Sequence, residues 1–177
     1  MYSIVDIEAT GGNASIGKIT EVAIYRFDGE KIIDSFSSLV NPQMKIPIYV
    51  QRLTGINDKM AKGAPLFSEL ADSIFKILKD SIFVAHNVKA DYSFIQTAFL
   101  ASGIEYSSER LCTLELSKEL LPEAPAHGLE KVCDYLQIEV ENRHRATGDA
   151  LATVELFKHL LQVDTTNLIQ KLKRKAR

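Results

Sequence analysis

The sequence predicts an α/β domain, a central mixed sheet of five strands flanked by helices on both faces. Three observations predict it. Residues 1–40 read as a meander of strands, the hydrophobic period lengthens from two residues to about 3.6 after Ala64-Pro65, and short buried strands then alternate with helices.

Tyr2 to Glu8 is short and rich in β-branched residues, as a strand should be. Thr20 to Phe27 alternates, with Val22, Ile24 and Arg26 on one side and Ala23, Tyr25 and Phe27 on the other. Asp28-Gly29 is a hairpin signal, and Lys31 to Val40 is the return strand. Asn41-Pro42 to Pro47 is a loop, and Val50 to Gly55 allows a short helical turn before the glycine interrupts it. Leu66, Leu70, Ile74, Ile77 and Leu78 then recur at helical spacing. Ser81 to Ala85 reads as a buried strand, Val88 to Ala101 as a helix, and Arg110 to Thr113 alternates as a strand would. Helices follow at about 114–121, 128–136 and 146–161, the last with Leu151, Val154, Phe157 and Leu161 on one stripe.

Composition bounds the function. The chain has 177 residues, 46% hydrophobic and 25% charged, so one folded domain is expected, rather than a multidomain enzyme or a disordered chain. No apolar run approaches the ~18 residues of a membrane span, and Met1 to Asp6 lacks a basic n-region, so a soluble, cytoplasmic protein is expected. Cys112 and Cys133 have no metal-ligand spacing and suit a reducing compartment. The net charge of −2 hides an asymmetry: Lys171 to Arg177 hold five basic groups, leaving residues 1–170 with 16 basic against 23 acidic side chains. An acidic body cannot hold nucleic acid on a broad basic surface, so bound cations would have to bring phosphate in. Residues 1–163 are expected to form the domain, and 164–177 a basic C-terminal helix, tail or linker.

The informative residues are acids at the ends of elements. Asp6 and Glu8 lie two apart on the first strand and so share a face, with no basic residue from Met1 to Gly17 to neutralise them. Asp91 falls in the first turn of the 88–101 helix, where the macrodipole favours a carboxylate whatever its job. Five residues turn ~500° on a helix, so His144 and Asp149 cannot share a helical face. His144 must stand in the loop before the helix that fixes Asp149. Singly, a wet strand end and a helix-terminal acid are adequate readings. Together, four converging carboxylates demand cations, and oxygen ligands suit two divalent ions, Mg²⁺ or Mn²⁺. Such a pair can stabilise the attacking and leaving oxygens of a phosphoryl displacement, with a histidine taking the proton from water. Gly12 to Ile19 nearly spells a P-loop, but Ile19 stands where Ser or Thr should reach Mg²⁺ and a strand follows instead of a helix.

Three motifs in this order resemble the DEDDh exonucleases, a ribonuclease H-like family: Asp6-Ile7-Glu8-Ala9-Thr10, His86-Asn87-Val88-Lys89-Ala90-Asp91 and His144-Arg145-Ala146-Thr147-Gly148-Asp149. Leu53-Thr54-Gly55-Ile56 and His127-Gly128-Leu129 look like further family landmarks. The resemblance implies that Asp6, Glu8, Asp91 and Asp149 bind two metals, with Asp6 bridging them, and that His144 is the general base. It further implies substrate contacts from Ala9, Thr10, Leu53, Thr54 and Asn87. The implied activity is 3′-to-5′ hydrolysis of single-stranded or frayed DNA ends to nucleoside monophosphates. RNA is the alternative substrate, a non-catalytic nucleic-acid-binding scaffold the alternative role, and a DNA polymerase or a fused C-terminal module the implied partner. Ala90 stands where the family often has an aromatic residue, with Tyr92 on the far side of Asp91. Cys112-Thr113-Leu114 replaces an aspartate-threonine-leucine segment without touching the five catalytic candidates.

Overall fold

In the computed structural model, which describes residues 1–172, five strands form one sheet in the order β3-β2-β1-β4-β5. They are β1 (Tyr2–Ala9), β2 (Ile19–Phe27), β3 (Ile32–Leu39), β4 (Ile82–Ala85) and β5 (Arg110–Cys112). The first three make the expected antiparallel meander, and β4 and β5 add in parallel on the other side of β1. The β2–β3 turn is held by Asp28, whose Oδ1 accepts the amides of Glu30 and Lys31 at 2.8 Å, while Gly29 takes φ 113°.

The helices are α1 (Ile48–Thr54), α2 (Asp58–Lys62), α3 (Phe67–Leu78), α4 (Val88–Ala101), α5 (Thr113–Leu120), α6 (Leu129–Leu136), α7 (Ala146–Val163) and α8 (Leu168–Lys171). Three differ from the sequence expectation. α1 begins two residues earlier than Val50, directly after Pro47, a residue suited to a helix start. Gly55 caps it in the left-handed conformation at φ 73° and donates its amide to the Gln51 carbonyl. α2 carries no apolar period and rests on the Asn57 side chain, which accepts the Met60 amide. Thr113 is the first residue of α5 rather than the last of a strand.

Strand alternation sends neighbouring residues to opposite cores. Val5, Val22, Ile24, Phe83 and Ala85 pack with α3 and α4, around Ile74, Ile95 and Phe99. Ile4, Val84 and Leu111 pack with α5 to α8, around Leu116, Val132, Phe157 and Ile169. Phe157 meets Tyr2 and Phe27 edge-on, with ring centroids 4.9 and 6.4 Å away. A third contact, of Ala23 with Ala146 and Ala150, joins the start of α7 to β2 through small side chains. Helix and sheet therefore approach closely where Asp149 stands.

After α7 the chain folds back. Asp164 accepts the amides of Leu168 and Ile169 at 2.8 Å, and Ile169 is buried in the α5–α8 core. Residues 164–172 thus pack on the domain, and 173–177, the greater part of the basic end, lie outside the described residues. Among the described residues no helix is long and apolar enough to cross a membrane.

Candidate active site

The pairing of β1 with β4 ends at Ile4 and Val84, while its pairing with β2 continues to Ala9. The last residues of β1 therefore border an open side of the sheet. The backbone amide of Ile7 on that side is met by Asp91 Oδ1 at 3.2 Å. This bond carries Asp91, buried in the first turn of α4, to a point between Asp6 and Glu8 along the strand.

Asp6 and Glu8 face away from Val5 and Ile7, as the period of two requires, toward the start of α7. There Asp149 joins them, and one carboxylate oxygen from each of the three lies within 4.8 Å of the others. Asp149 is held by the His144 amide, which donates to its Oδ2 at 3.1 Å. His144 stands in the loop before α7, as the helical-wheel argument requires, and its φ of 58° turns the chain so that its amide points back at the helix.

The electrostatics are those of an anionic cluster. Burial raises Asp6 well above the carboxylate range, with Asp91, Asp149, Glu8 and Glu21 adding repulsion in that order. Burial likewise pushes Glu8 up to about 8, helped by Asp149, Glu21 and Asp91 and opposed by Arg145. Asp91 is pushed to about 7 by burial against the opposing amide of Ile7. Asp149 is raised by burial despite its bond from His144. Hard oxygen donors that repel one another and resist ionisation fit a divalent cation, which would restore all of them to the charged form.

Glu21 lies on β2 beside these acids. It is buried, opposite Glu8 in the β1–β2 register, and takes three donors. Arg145 Nε and Nη2 reach it at 3.0 and 2.5 Å, and the Ala146 amide at 2.9 Å. A bidentate ion pair thus neutralises Glu21 and clamps the first turn of α7, a terminus that favours negative charge, onto β2. Gly148 packs one turn on, and a Cβ there would lie 2.5 Å from the Asn142 carbonyl oxygen and nearer still to that of Glu141. The loop bearing His144 rests on this bare helix surface.

The expected substrate contacts divide. Ala9 ends β1 beside the acids, Leu53 is exposed on α1, and Asn87, exposed at φ 73°, precedes α4. Thr10 is buried; its Oγ1 accepts the Lys18 amide at 3.0 Å and donates to Met44 Sδ at 3.5 Å. Thr54 is also buried, and its hydroxyl donates to the Val50 carbonyl and accepts the Ile56 amide. Its hydroxyl closes α1. Tyr92 does not stand in for an aromatic at position 90, because it is buried edge-on to Phe83 with the Arg110 guanidinium 4.4 Å from its ring centre. His86 hydrogen-bonds Thr113 Oγ1 at 3.0 Å, and burial depresses its pKa to about 4, so it remains a neutral structural group at the end of β4.

An order β3-β2-β1-β4-β5 with four carboxylates gathered at the open end of β1 defines a ribonuclease H-like nuclease fold of the DEDDh type. A family model described as Exonuclease, of the RNase T type, matches residues 3–157, and the chain belongs to that exonuclease family. It is 35% identical over 157 residues, 88% of its length, to the 3′-5′ exonuclease DinG of Staphylococcus epidermidis. It is 34% identical over 161 residues, 91% of its length, to a PolC-type DNA polymerase III of Caldanaerobacter subterraneus subsp. tengcongensis. The chain spans only 17% and 12% of those two proteins. Among solved structures, Exonuclease X in complex with 5′ overhanging duplex DNA superposes with a TM-score of 0.78 at 23% identity, covering 97% of this chain and 98% of that one. This likeness is one of fold.

Proposed function

We propose that the chain is a 3′-to-5′ exonuclease that removes nucleoside monophosphates from single-stranded or frayed DNA ends with the help of two divalent ions, Mg²⁺ or Mn²⁺. The observation that carries this reading is the gathering of Asp6, Glu8 and Asp149 within 4.8 Å, with Asp91 repelling Asp6 from beside the same strand. Asp6, Glu8, Asp91 and Asp149 would hold the ions, whose chemistry is to neutralise the scissile phosphate and lower the barrier to in-line displacement. His144 takes one proton from the attacking water. The water oxygen bonds to phosphorus, the bond from phosphorus to the 3′ oxygen breaks, and that oxygen leaves as the new 3′-hydroxyl after gaining a proton. Asp149 accepts the His144 amide, and Arg145 with Glu21 holds the start of α7 beside it, so the backbone that carries the proposed base is fixed.

DNA is favoured over RNA because the relatives at 34–35% identity are a DinG exonuclease and a DNA polymerase. A polymerase or an attached module is accordingly the partner proposed. The test is degradation of 5′-labelled single-stranded DNA and RNA of the same sequence. Expected is stepwise shortening of DNA from the 3′ end with Mg²⁺ or Mn²⁺, abolished by EDTA, by Asp6→Asn and by His144→Ala. Shortening that survives chelation or either substitution refutes the mechanism.

A further inference from the structure

The basic end of the chain lies beyond the part it shares with the family. The family model matches residues 3–157, whereas five basic groups fall in Lys171 to Arg177. The fold delivers this end to a defined place. Asp164 caps the turn after α7, Ile169 is buried in the α5–α8 core, and Leu172, the last described residue, lines a hollow with Asn87, Lys89, Arg110 and Glu115.

That hollow opens at the same edge of the sheet as the acidic centre. β4 and β5 run parallel to β1, so Asn87, which follows β4, and the end of β1 face the same way. Asp91 stands four residues beyond Asn87, about 6 Å along a helix. The five residues after Leu172 span at most ~17 Å when extended, which puts their charges within reach of a strand bound at the centre. Charge selects the partner. Residues 1–170 carry 16 basic against 23 acidic side chains and repel phosphate. Lys89 and Lys171 are exposed, the Arg110 guanidinium lies over the Tyr92 ring, and none of the three forms an ion pair among the described residues. Glu115 is the only acid among the described residues that line the hollow.

We infer that Lys171 to Arg177, together with Lys89 and Arg110, form a second nucleic-acid contact that holds the phosphate backbone of the substrate strand beside the acidic centre. Each cation that meets a phosphate releases condensed counterions, so the contact adds affinity without reading bases and weakens as salt rises. It offsets the repulsion of the acidic body and acts on capture of the strand, not on the displacement at phosphorus. The inference rests on the exonuclease reading for the identity of the strand.

Variants of the 177-residue chain test it. The tail variant carries Lys173→Gln, Arg174→Gln, Lys175→Gln and Arg177→Gln, and Lys89→Gln is made separately. A control removes the same charge elsewhere, with Lys31→Gln, Lys76→Gln, Lys79→Gln and Lys158→Gln. Anisotropy of fluorescent oligo(dT) with Ca²⁺ in place of Mg²⁺ gives Kd across a salt series. The slope of log Kd against log[salt] should fall by about 0.7 for Lys89→Gln and by about 2–3 for the tail variant, whose Kd at low salt should rise roughly 10-fold or more. The control should stay close to the wild type. In the exonuclease assay the tail variant should raise KM for oligo(dT) by a similar factor with kcat within about 2-fold. Hydrolysis of the p-nitrophenyl ester of thymidine 5′-monophosphate, which has no strand to hold, should be unchanged. A tail variant whose slope falls no more than the control's, or an equal loss on the ester, overturns the inference. Loss of affinity for fluorescent polyglutamate without loss for oligo(dT) would assign the basic end to an acidic protein and overturns it as well. If the wild type cleaves neither substrate, the exonuclease reading fails by itself, and the anisotropy series still decides the role of the basic end.

Discussion

Replacing Gly148 by alanine perturbs the site without altering any group that touches substrate. The new methyl carbon would lie 2.5 Å from the Asn142 carbonyl oxygen and nearer still to that of Glu141, whereas ordinary contact begins near 3.4 Å, so the 141–145 loop must retreat by at least about 1 Å. Overpacking of this kind costs about 1–3 kcal/mol, and at ~2–4 °C per kcal/mol for a domain of this size the midpoint should fall by roughly 2–12 °C. The loop carries His144 and Arg145, and a base misplaced by ~1 Å loses about 100-fold in turnover. Calorimetry with exonuclease assays at saturating oligonucleotide measures both effects. Gly128→Ala is the control, since no atom lies within 4 Å of its added carbon. A Gly148→Ala protein that melts and turns over like the wild type would refute the argument that the bare face of α7 seats the His144 loop.

Three further outcomes are expected. Glu21→Ala leaves Arg145 without its partner and the Ala146 amide without its acceptor, and should destabilise the protein by about 2–3 kcal/mol in denaturant titration, below the full value for a buried pair because Arg145 is one-third exposed. Without divalent ions, Glu8 keeps its proton in the folded state up to about pH 8 while the unfolded chain ionises near its ordinary 4.5. Below the lower value both states hold the proton; above it only the folded state does, so stability falls as pH rises between the two and levels off beyond the higher. The melting temperature of EDTA-treated protein should show this decline, and saturating Mg²⁺ should remove it. Asp6→Asn removes an acid that the metal-free fold must either protonate or bury as a charge, and should raise the melting temperature of the metal-free protein near neutral pH while reducing its response to Mg²⁺.

Much of the site was legible because it obeys local periods. The alternation of β1 placed Asp6 and Glu8 on one face, and the helical turn forced His144 into the loop before Asp149. What sequence could not show were contacts set by distant packing. Glu21 and Arg145 lie 124 residues apart and meet only because α7 docks on β2. α2 lacks an apolar stripe, and its cap is a single asparagine. The resemblance implies a substrate contact for Thr54, and its hydroxyl bonds the backbone at the end of α1. The seat of Gly148 depends on a loop that reads as featureless until it is placed.

The hydrogen bond from Ile7 to Asp91 gives the protein a built-in reporter. One of the two oxygens of that carboxylate accepts the backbone amide, and its remaining lone pair and the other oxygen are left for coordination. An ionised acceptor binds an amide more tightly than a protonated one, and exchange of the Ile7 amide with deuterated solvent should slow when divalent ions load the centre. Occupancy of the acidic cluster is thereby written into the strand that supplies half of it.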